Sequence, residues 1–511
     1  MKLKFVPLDY DYFDFNGENI VRVMGRDEKW KRVCLLEKIE PYFFVVLQEN
    51  VSEKRITQIQ EAIERIRVEN ASRVCKVIKT EVQNKSFLGK KVKTIKIYIT
   101  NYKDAHAVAD EIDFPEILVR REYDINIITK YIIDRQLLPL QWHFVEGDVL
   151  VNSEEFGGVD NKFEVDYCIK VGKIGKCEDL GFKPKILAFD IEADEFEIGK
   201  GEIVMISLVS DKMKKVLTWK KTVKKQDFVE VLKDEAEMIE RFIEIVRKEN
   251  ADLFAGYFSD GFDLQYLKAR AEKFKIKLDL GLTNENVKFS RGRIASGYIS
   301  GMIHVDLFRF IETVFSQYLQ SETLGLNEVA QELLGEGKRD YKLKHSKQVK
   351  EEEWEEYFDY NLQDSVLTYK LAEKFWPDML EFSKIIQEPL FEITRNSMSQ
   401  LVEDYLLHNL SRFNEIAEKR PIYDEIESRK LREKYTRAFV FKPTPGLYED
   451  LAIFDFTSMH ASVIVSFNLS KSTLLGEKTK DGIESPEMEL EGEKKKFYFS
   501  KEPGFFPLLL K

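Results

Sequence analysis

Four groups of acidic residues in this chain have the types and spacing to hold divalent cations. Asp190-Ile191-Glu192 ends the apolar run Ile186-Leu187-Ala188-Phe189. In a strand, residues i and i+2 point the same way, so Asp190 and Glu192 share a face while Ile191 faces the core. Two carboxylates brought together there repel unless a cation lies between them. Asp263 stands at a strand-to-helix junction, and Tyr360 and Asp364 lie one helical turn apart on a shared face, leaving Phe358, Leu362 and Val366 to pack the other side. If these elements converge, Asp190, Glu192, Asp263 and Asp364 offer oxygen-rich coordination for two Mg²⁺ ions. Ions about 3.5–4 Å apart activate a water and stabilise a leaving 3′ oxygen, the chemistry of two-metal phosphodiester hydrolysis. Tyr360 is then suited to orienting the attacking water through its hydroxyl. Asp455 reads as half of a different site.

Each element alone carries little, because D-x-E arises by chance in a chain with 90 acidic residues. Their conjunction carries the reading, and it needs a scaffold. The apolar runs 186–189, Ile203–Val209 and Val216–Trp219 predict a three-stranded meander. Met238, Ile239, Phe242, Ile245 and Val246 recur with helical period, and Asn250 suits a left-handed stop. Leu253-Phe254-Ala255 predicts a strand, with a helix after Asp263 marked by Leu264, Leu267 and Ala271. The order βββαβα is that of a mixed sheet flanked by helices.

A chain of 511 residues is too long for a single core. Residues 1 to about 135 alternate in short apolar runs, such as Tyr42–Leu47 and Ile95–Ile99, around one amphipathic helix near Glu53–Ile66, which reads as a small α+β domain. Residues 140–184 read as its β-rich arm. After Leu324 the pattern turns helical as far as about Arg432, interrupted by a charged stretch, Lys338–Glu356. The turn Pro443-Thr444-Pro445-Gly446 leads into a predicted strand, Leu451-Ala452-Ile453-Phe454, that delivers Asp455. There is no internal repeat and no Walker-type or G-x-G-x-x-G phosphate loop. The fold class expected is α/β and α+β multidomain, with boundaries at 1–184, 185–376 and 377–511.

The net charge of −11 argues against a chain that coats nucleic acid everywhere, while leaving room for a basic cleft. Cys34, Cys75, Cys168 and Cys177 are scattered with no metal-ligand spacing, as for free thiols in a reducing compartment. No apolar run approaches the roughly 18 residues that span a bilayer, and the N-terminus lacks a signal-peptide core. A cytoplasmic protein without membrane partners is expected.

At Phe189-Asp190-Ile191-Glu192, Tyr257-Phe258-Ser259-Asp260-Gly261-Phe262-Asp263 and Tyr360-Asn361-Leu362-Gln363-Asp364 the chain resembles the proofreading exonuclease of archaeal-type family B DNA polymerases. Leu8-Asp9-Tyr10-Asp11-Tyr12, His304-Val305-Asp306-Leu307 and Pro503-Gly504-Phe505-Phe506-Pro507 extend the resemblance along nearly the whole chain. It implies an RNase H-like 3′→5′ exonuclease domain with Asp190, Glu192, Asp263 and Asp364 as metal ligands and Tyr360 as water positioner. One departure is Phe258, where the family pattern usually carries Asn. The segment Asp455-Phe456-Thr457-Ser458-Met459-His460-Ala461-Ser462 is similar to the first palm motif D-x-x-S-L-Y-P-S. The resemblance implies that Asp455 binds metal and that Phe456, Ser458 and His460 lie around an incoming dNTP, at a site holding two further Mg²⁺ ions. His460 stands where a Tyr usually gates the sugar, so it is either an altered gate or the mark of a site that no longer polymerises. Tyr435-Thr436-Arg437-Ala438 likewise replaces a usual Y-x-G-G.

The family's K-x-x-x-N-S-x-Y-G and D-T-D motifs do not occur here, and a single palm Asp cannot hold two metals. The chain therefore resembles the N-terminal, large subunit of a split polymerase. Its expected partners are DNA primer-template, dNTPs, a C-terminal subunit with fingers, remaining palm and thumb, and a sliding clamp. Two other readings stay open, a stand-alone exonuclease and a catalytically inactive DNA-binding replisome component. By the same resemblance Tyr12, Pro41, Tyr42, Thr94, Ile125 and Ile127 form a candidate template-uracil pocket, with Asn126 in place of a Pro.

Overall fold

The alternating residues of positions 1–40 form an antiparallel meander of β1 (Lys2–Phe15), β2 (Glu18–Asp27) and β3 (Arg32–Ile39). Two later strands, β4 (His143–Leu150) and β5 (Tyr167–Lys176), close it into a barrel: β5 runs parallel to β3 and antiparallel to β4, which returns to β1. The stretch 140–184, read from local pattern as an arm, thus completes a barrel begun at the N-terminus. Long-range strand pairing of this kind leaves no local signal in sequence.

This is a computed structural model, and it describes residues 1–70, 73–222, 226–290, 295–321, 323–337, 348–431, 441–442, 444–490 and 493–511. Tyr435-Thr436-Arg437-Ala438, Pro443 and residues 338–347 of the charged stretch lie outside the described residues. The chain divides into two units: Met1–Glu40 with Asn126–His408, and Pro41–Ile125 with Asn409–Lys511.

The first unit joins the barrel to a six-stranded sheet of β6 (Ile186–Ala193), β7 (Ile203–Val209), β8 (Lys214–Thr218), β9 (Val229–Val231), β10 (Leu253–Gly256) and β11 (Ile303–Asp306). Its order is β9-β8-β7-β6-β10-β11, with β6, β7 and β8 the expected antiparallel meander and β10 and β11 parallel to β6. Helix α1 (Glu235–Glu249) starts at Asp234, whose carboxylate accepts from the N–H of Glu237, and stops at left-handed Asn250. Met238 and Phe242 of α1 pack with Ile206 and Leu208. Helix α2 (Asp263–Phe274) follows β10. Helix α3 (Trp354–Ile386) covers the other side, with Trp354 and Phe358 against Val204 and Met205. Helices on both faces explain why β7 is buried along its whole length and reads as an unbroken apolar run apart from Ser207.

Buried charge ties the barrel to this sheet. Arg26 Nε donates to Asp252 Oδ1 (2.7 Å), and Arg32 Nη1 lies 3.2 Å from the same oxygen. All three side chains are buried. Burial pulls the Arg32 guanidinium down to about 10, with Asp252 acting in the opposite sense.

In the second unit the strands run in the order Arg67–Asn70, Arg73–Phe87, Lys90–Ile99, Tyr42–Leu47, Ile117–Arg121. The expected amphipathic helix forms over Glu53–Glu64 and packs Ile56, Ile59 and Ile63 on that sheet. Residues 409–511 contribute short helices at Tyr423–Leu431, Met459–Ser466 and Phe505–Leu510 and strands of two or three residues. The strand expected at Leu451–Phe454 does not form; Ile453 and Phe454 are 86% and 92% exposed. A strand is held by its neighbour's backbone, and among the described residues none pairs with this segment. Among the described residues no helix is long and apolar enough to cross a membrane.

Replacing Asp252 by Ala strands two buried guanidinium groups, which costs about 3–5 kcal/mol. Urea unfolding followed by circular dichroism should show a midpoint lowered accordingly, and an unchanged midpoint would count against this role for Asp252.

Candidate active site

Strand β6 ends with Asp190 and Glu192, both half-buried, on the face opposite buried Ile191. Asp190 sits across from Ser207 in the β6/β7 register. Ser207 Oγ contacts both the carbonyl of Asn361, as donor at 2.8 Å, and Ser365 Oγ, at 2.6 Å. These buried hydroxyls fix α3 along the sheet, and Asn361 Nδ2 then donates to Asp190 Oδ2 at 2.7 Å. The consequence is convergence. Carboxylate oxygens of Asp190, Glu192 and Asp364 all lie within 4.8 Å of one another. Tyr360, half-buried, precedes Asp364 by one turn of the same helix.

Asp263 opens α2 beside this group, and the three carboxylates that gather do not include it. Its Oδ1 accepts from the backbone N–H of Ile191 at 3.1 Å, so it buttresses the strand between Asp190 and Glu192. Burial is the main force raising its carboxyl from 3.8 to about 7; the charges of Asp306 and Asp364 add to it, against the Ile191 N–H. The donor set is entirely oxygen and anionic, which fits a hard divalent cation and not a thiolate-preferring metal.

Asn361, Ser207 and Ser365 escape reading by motif. The one legible sign is Ser207, a lone hydroxyl inside the otherwise apolar Ile203–Val209. A second unpredicted device is the buried Asp306, whose two oxygens accept from the N–H groups of Phe258 (2.8 Å) and Asp260 (3.0 Å) and so shape the loop between β10 and α2. Burial, then the charge of Asp260, raises Asp306 to about 6. Asp260 is itself held by Arg395 Nε at 2.8 Å and Arg309 Nη1 at 3.1 Å.

The remaining candidates are placed differently. Asp455, Phe456, Ser458 and His460 are exposed, Ser458 with a left-handed backbone (φ 48°). Among the described residues Asp455 joins no carboxylate group. Of the uracil-pocket candidates, Tyr12 and Ile127 belong to the first unit, and Pro41, Tyr42, Thr94 and Ile125 to the second. Thr94 is buried with its hydroxyl donating to the carbonyl of Gln83, and Tyr42 lies under Lys96 Nζ, 3.6 Å from the ring centroid. Asn126 is an N-cap, its Oδ1 accepting from Ile128 N at 2.8 Å, so the side chain supplies the local order that a Pro would have given.

A mixed sheet with carboxylates gathered at the end of one strand and on a covering helix is an arrangement suited to holding divalent cations for phosphodiester chemistry. The family described as DNA polymerase family B, exonuclease domain, matches residues 118–329, and DNA polymerase family B matches residues 389–511. Asp190, Glu192 and Asp263 fall within the first match; Asp364 lies beyond it and is joined to them by geometry. The chain is 32% identical to a DNA polymerase of Pyrococcus glycovorans, over 99% of this chain and 58% of the relative. It is 30% identical to a DNA polymerase of Thermococcus gorgonarius, over 98% of this chain and 58% of the relative. Its fold is similar to that of the family B DNA polymerase from Pyrobaculum calidifontis, with TM-score 0.73 and 24% identity, covering 99% of this chain and 62% of that one. The chain belongs to the archaeal-type family B DNA polymerases, whose exonuclease domains use divalent metals, and it spans under three fifths of the length of those curated relatives.

Two outcomes follow from this geometry. Asn361→Leu keeps the branched shape and removes the donor that orients Asp190; Mn²⁺ affinity measured by calorimetry should fall about 10-fold or more, and unchanged affinity would contradict the orienting role. The second concerns pH. Because the folded carboxyl of Asp263 titrates near 7 and its unfolded one near 3.8, the folded state binds more protons in between, and stability declines as pH rises through 7. A cation competes with that proton, so the rise in Tm on adding Mg²⁺ should be larger at pH 8 than at pH 6.

Proposed function

We propose that this chain is the large subunit of a split family B DNA polymerase, carrying its own Mg²⁺-dependent 3′→5′ proofreading exonuclease and synthesising DNA only with a C-terminal subunit. The observation that carries the nuclease half is the convergence of Asp190, Glu192 and Asp364 within 4.8 Å. In this reading these residues, with Asp263, would hold two Mg²⁺ ions, which when bound supply an activated water and charge neutralisation at the leaving 3′ oxygen. Tyr360 would orient the attacking water through its hydroxyl. Asn361 donates to one oxygen of Asp190 and fixes its orientation, and Asp263 accepts from the N–H of Ile191, so it also braces the strand between Asp190 and Glu192.

The polymerase half draws support from Asp455 and from the surface around it. Leu447, Leu451, Ile453, Phe454 and Phe456 are all largely exposed. Contiguous exposed apolar side chains mark a surface that another polypeptide segment covers. The reading assigns that segment to the remaining palm, whose second acidic residue would join Asp455 in holding two Mg²⁺ ions, with Phe456, Ser458 and His460 around the dNTP. Residues 1–184 then bind template, residues 185–376 form an RNase H-like exonuclease, and 377–511 form a helical linker and the first part of the palm. A cytoplasmic heterodimer engaging a sliding clamp completes the proposal.

The test is a 5′-labelled primer, single-stranded or annealed to template, incubated with this chain and Mg²⁺. One arm adds a polypeptide bearing the fingers, the D-T-D motif and the thumb. The chain alone should shorten the primer from its 3′ end, with Asp190→Ala and Asp364→Ala each losing more than the roughly 10- to 100-fold typical of an outer-layer partner. Extension should require the second polypeptide. Extension by the lone chain would overturn the need for a partner; shortening with no extension in either arm would favour a stand-alone exonuclease; no shortening at all would overturn the nuclease.

A further inference from the structure

Phe258 is held in a conformation that its side chain does not favour. Its φ is +62°, the left-handed region that bulky L residues enter only under constraint. The constraint is visible: the N–H groups of Phe258 and Asp260 both donate to the buried carboxylate of Asp306. The ring is braced as well. It meets Phe308 edge to face at 5.2 Å and 82°, and it lies so close over Gly261 that a Cβ there would come within 2.4 Å of it. A strained backbone, a buried carboxylate and a required glycine therefore cooperate to hold one ring that is still 40% exposed. Strain preserved in this way marks a functional position.

The ring lines a cavity of about 770 Å³, within the range of small-molecule sites. Its other walls include Phe391, Asn396, Ser397 and Gln400, together with Arg309 and Arg395, whose guanidinium groups are engaged by Asp260. Glu312 and Glu392 line it as well, and aromatic faces beside amides, a hydroxyl and carboxylates suit a nucleobase better than a phosphate. The location agrees. Strands β6 and β10 are parallel with Ala188 beside Ala255, so the loop of Phe258 leaves the sheet at the same edge as Asp190, where ligands of such sheets bind.

We propose that Phe258 is a stacking platform for an unpaired base of the DNA strand whose 3′ end reaches Asp190, Glu192 and Asp364. The proposal rests on the exonuclease reading and deepens it: an aromatic face grips any base, and the Asn common at this position in the family pattern offers no such face. Base–aromatic stacking is sequence-tolerant, which suits a strand that must be trimmed whatever its sequence.

The informative variant is Phe258→Asn, because Asn tolerates the left-handed backbone and the loop keeps its shape. On single-stranded DNA it should raise KM about 10-fold or more, the loss expected of one stacked base, with a far smaller change in kcat, and Phe258→Trp should restore KM. A separate readout uses a strand carrying 2-aminopurine near its 3′ end, with metal withheld by EDTA. Wild type and Phe258→Trp should quench its fluorescence, and Phe258→Asn should not. Wild-type KM together with wild-type quenching in Phe258→Asn would overturn the platform. Quenching that depends on Phe258 in a chain that cleaves nothing would sustain the platform and overturn the exonuclease reading.

Discussion

Three carboxylates with oxygens inside 4.8 Å oppose one another, and much of the first unit exists to hold them there. Their repulsion is met by framework. Asp190 and Glu192 are fixed by pairing with β7 on a strand that β10 also holds as far as Ala188, and Asp364 by a helix that cannot slide while Ser207 bonds the Asn361 carbonyl and abuts Ser365. Both hydroxyls are buried between β7 and α3 and both are hydrogen-bonded, so burying them costs little. A cation placed among the three oxygens converts the stored repulsion into affinity.

The open edge of the sheet uses the same economy of groups. Asp306 ends β11 and, with one carboxylate, accepts from Phe258, Asp260 and Phe308, joining the loop before α2 to the turn after β11. Asp260, shaped by that loop, gathers Arg309 and Arg395. The chain entering α2 is thus fixed before Asp263 is reached, which is why a helix lacking a side-chain cap at its start still presents its first residue to β6 at hydrogen-bonding distance.

Much of this was legible residue by residue. Short apolar runs placed β6, β7 and β8, a period of 3.6 placed α1 and the start of α2, and Asn250 ended α1 as its type suggests. The barrel was not legible, because β3 and β5 meet across a long stretch of intervening chain. Leu451–Phe454 has the composition of a strand but pairs with no strand among the described residues, and composition alone cannot supply inter-strand hydrogen bonds. Asn361 could be read only as a letter inside a Y-x-x-x-D pattern; its contact with Asp190 depends on where α3 crosses the sheet.

Sequence alone therefore determined which side chains share a face: Asp190 with Glu192, and Tyr360 with Asp364, because strand and helix periods are local properties of the backbone. Which faces meet was decided by tertiary structure. Packing of α3 on β7 brought Asp364 to the strand pair, and the Ile191 N–H drew Asp263 into a bracing position beside them instead of into the group of three. Distances of that order are set by interdigitating side chains from distant segments, and no local pattern encodes them.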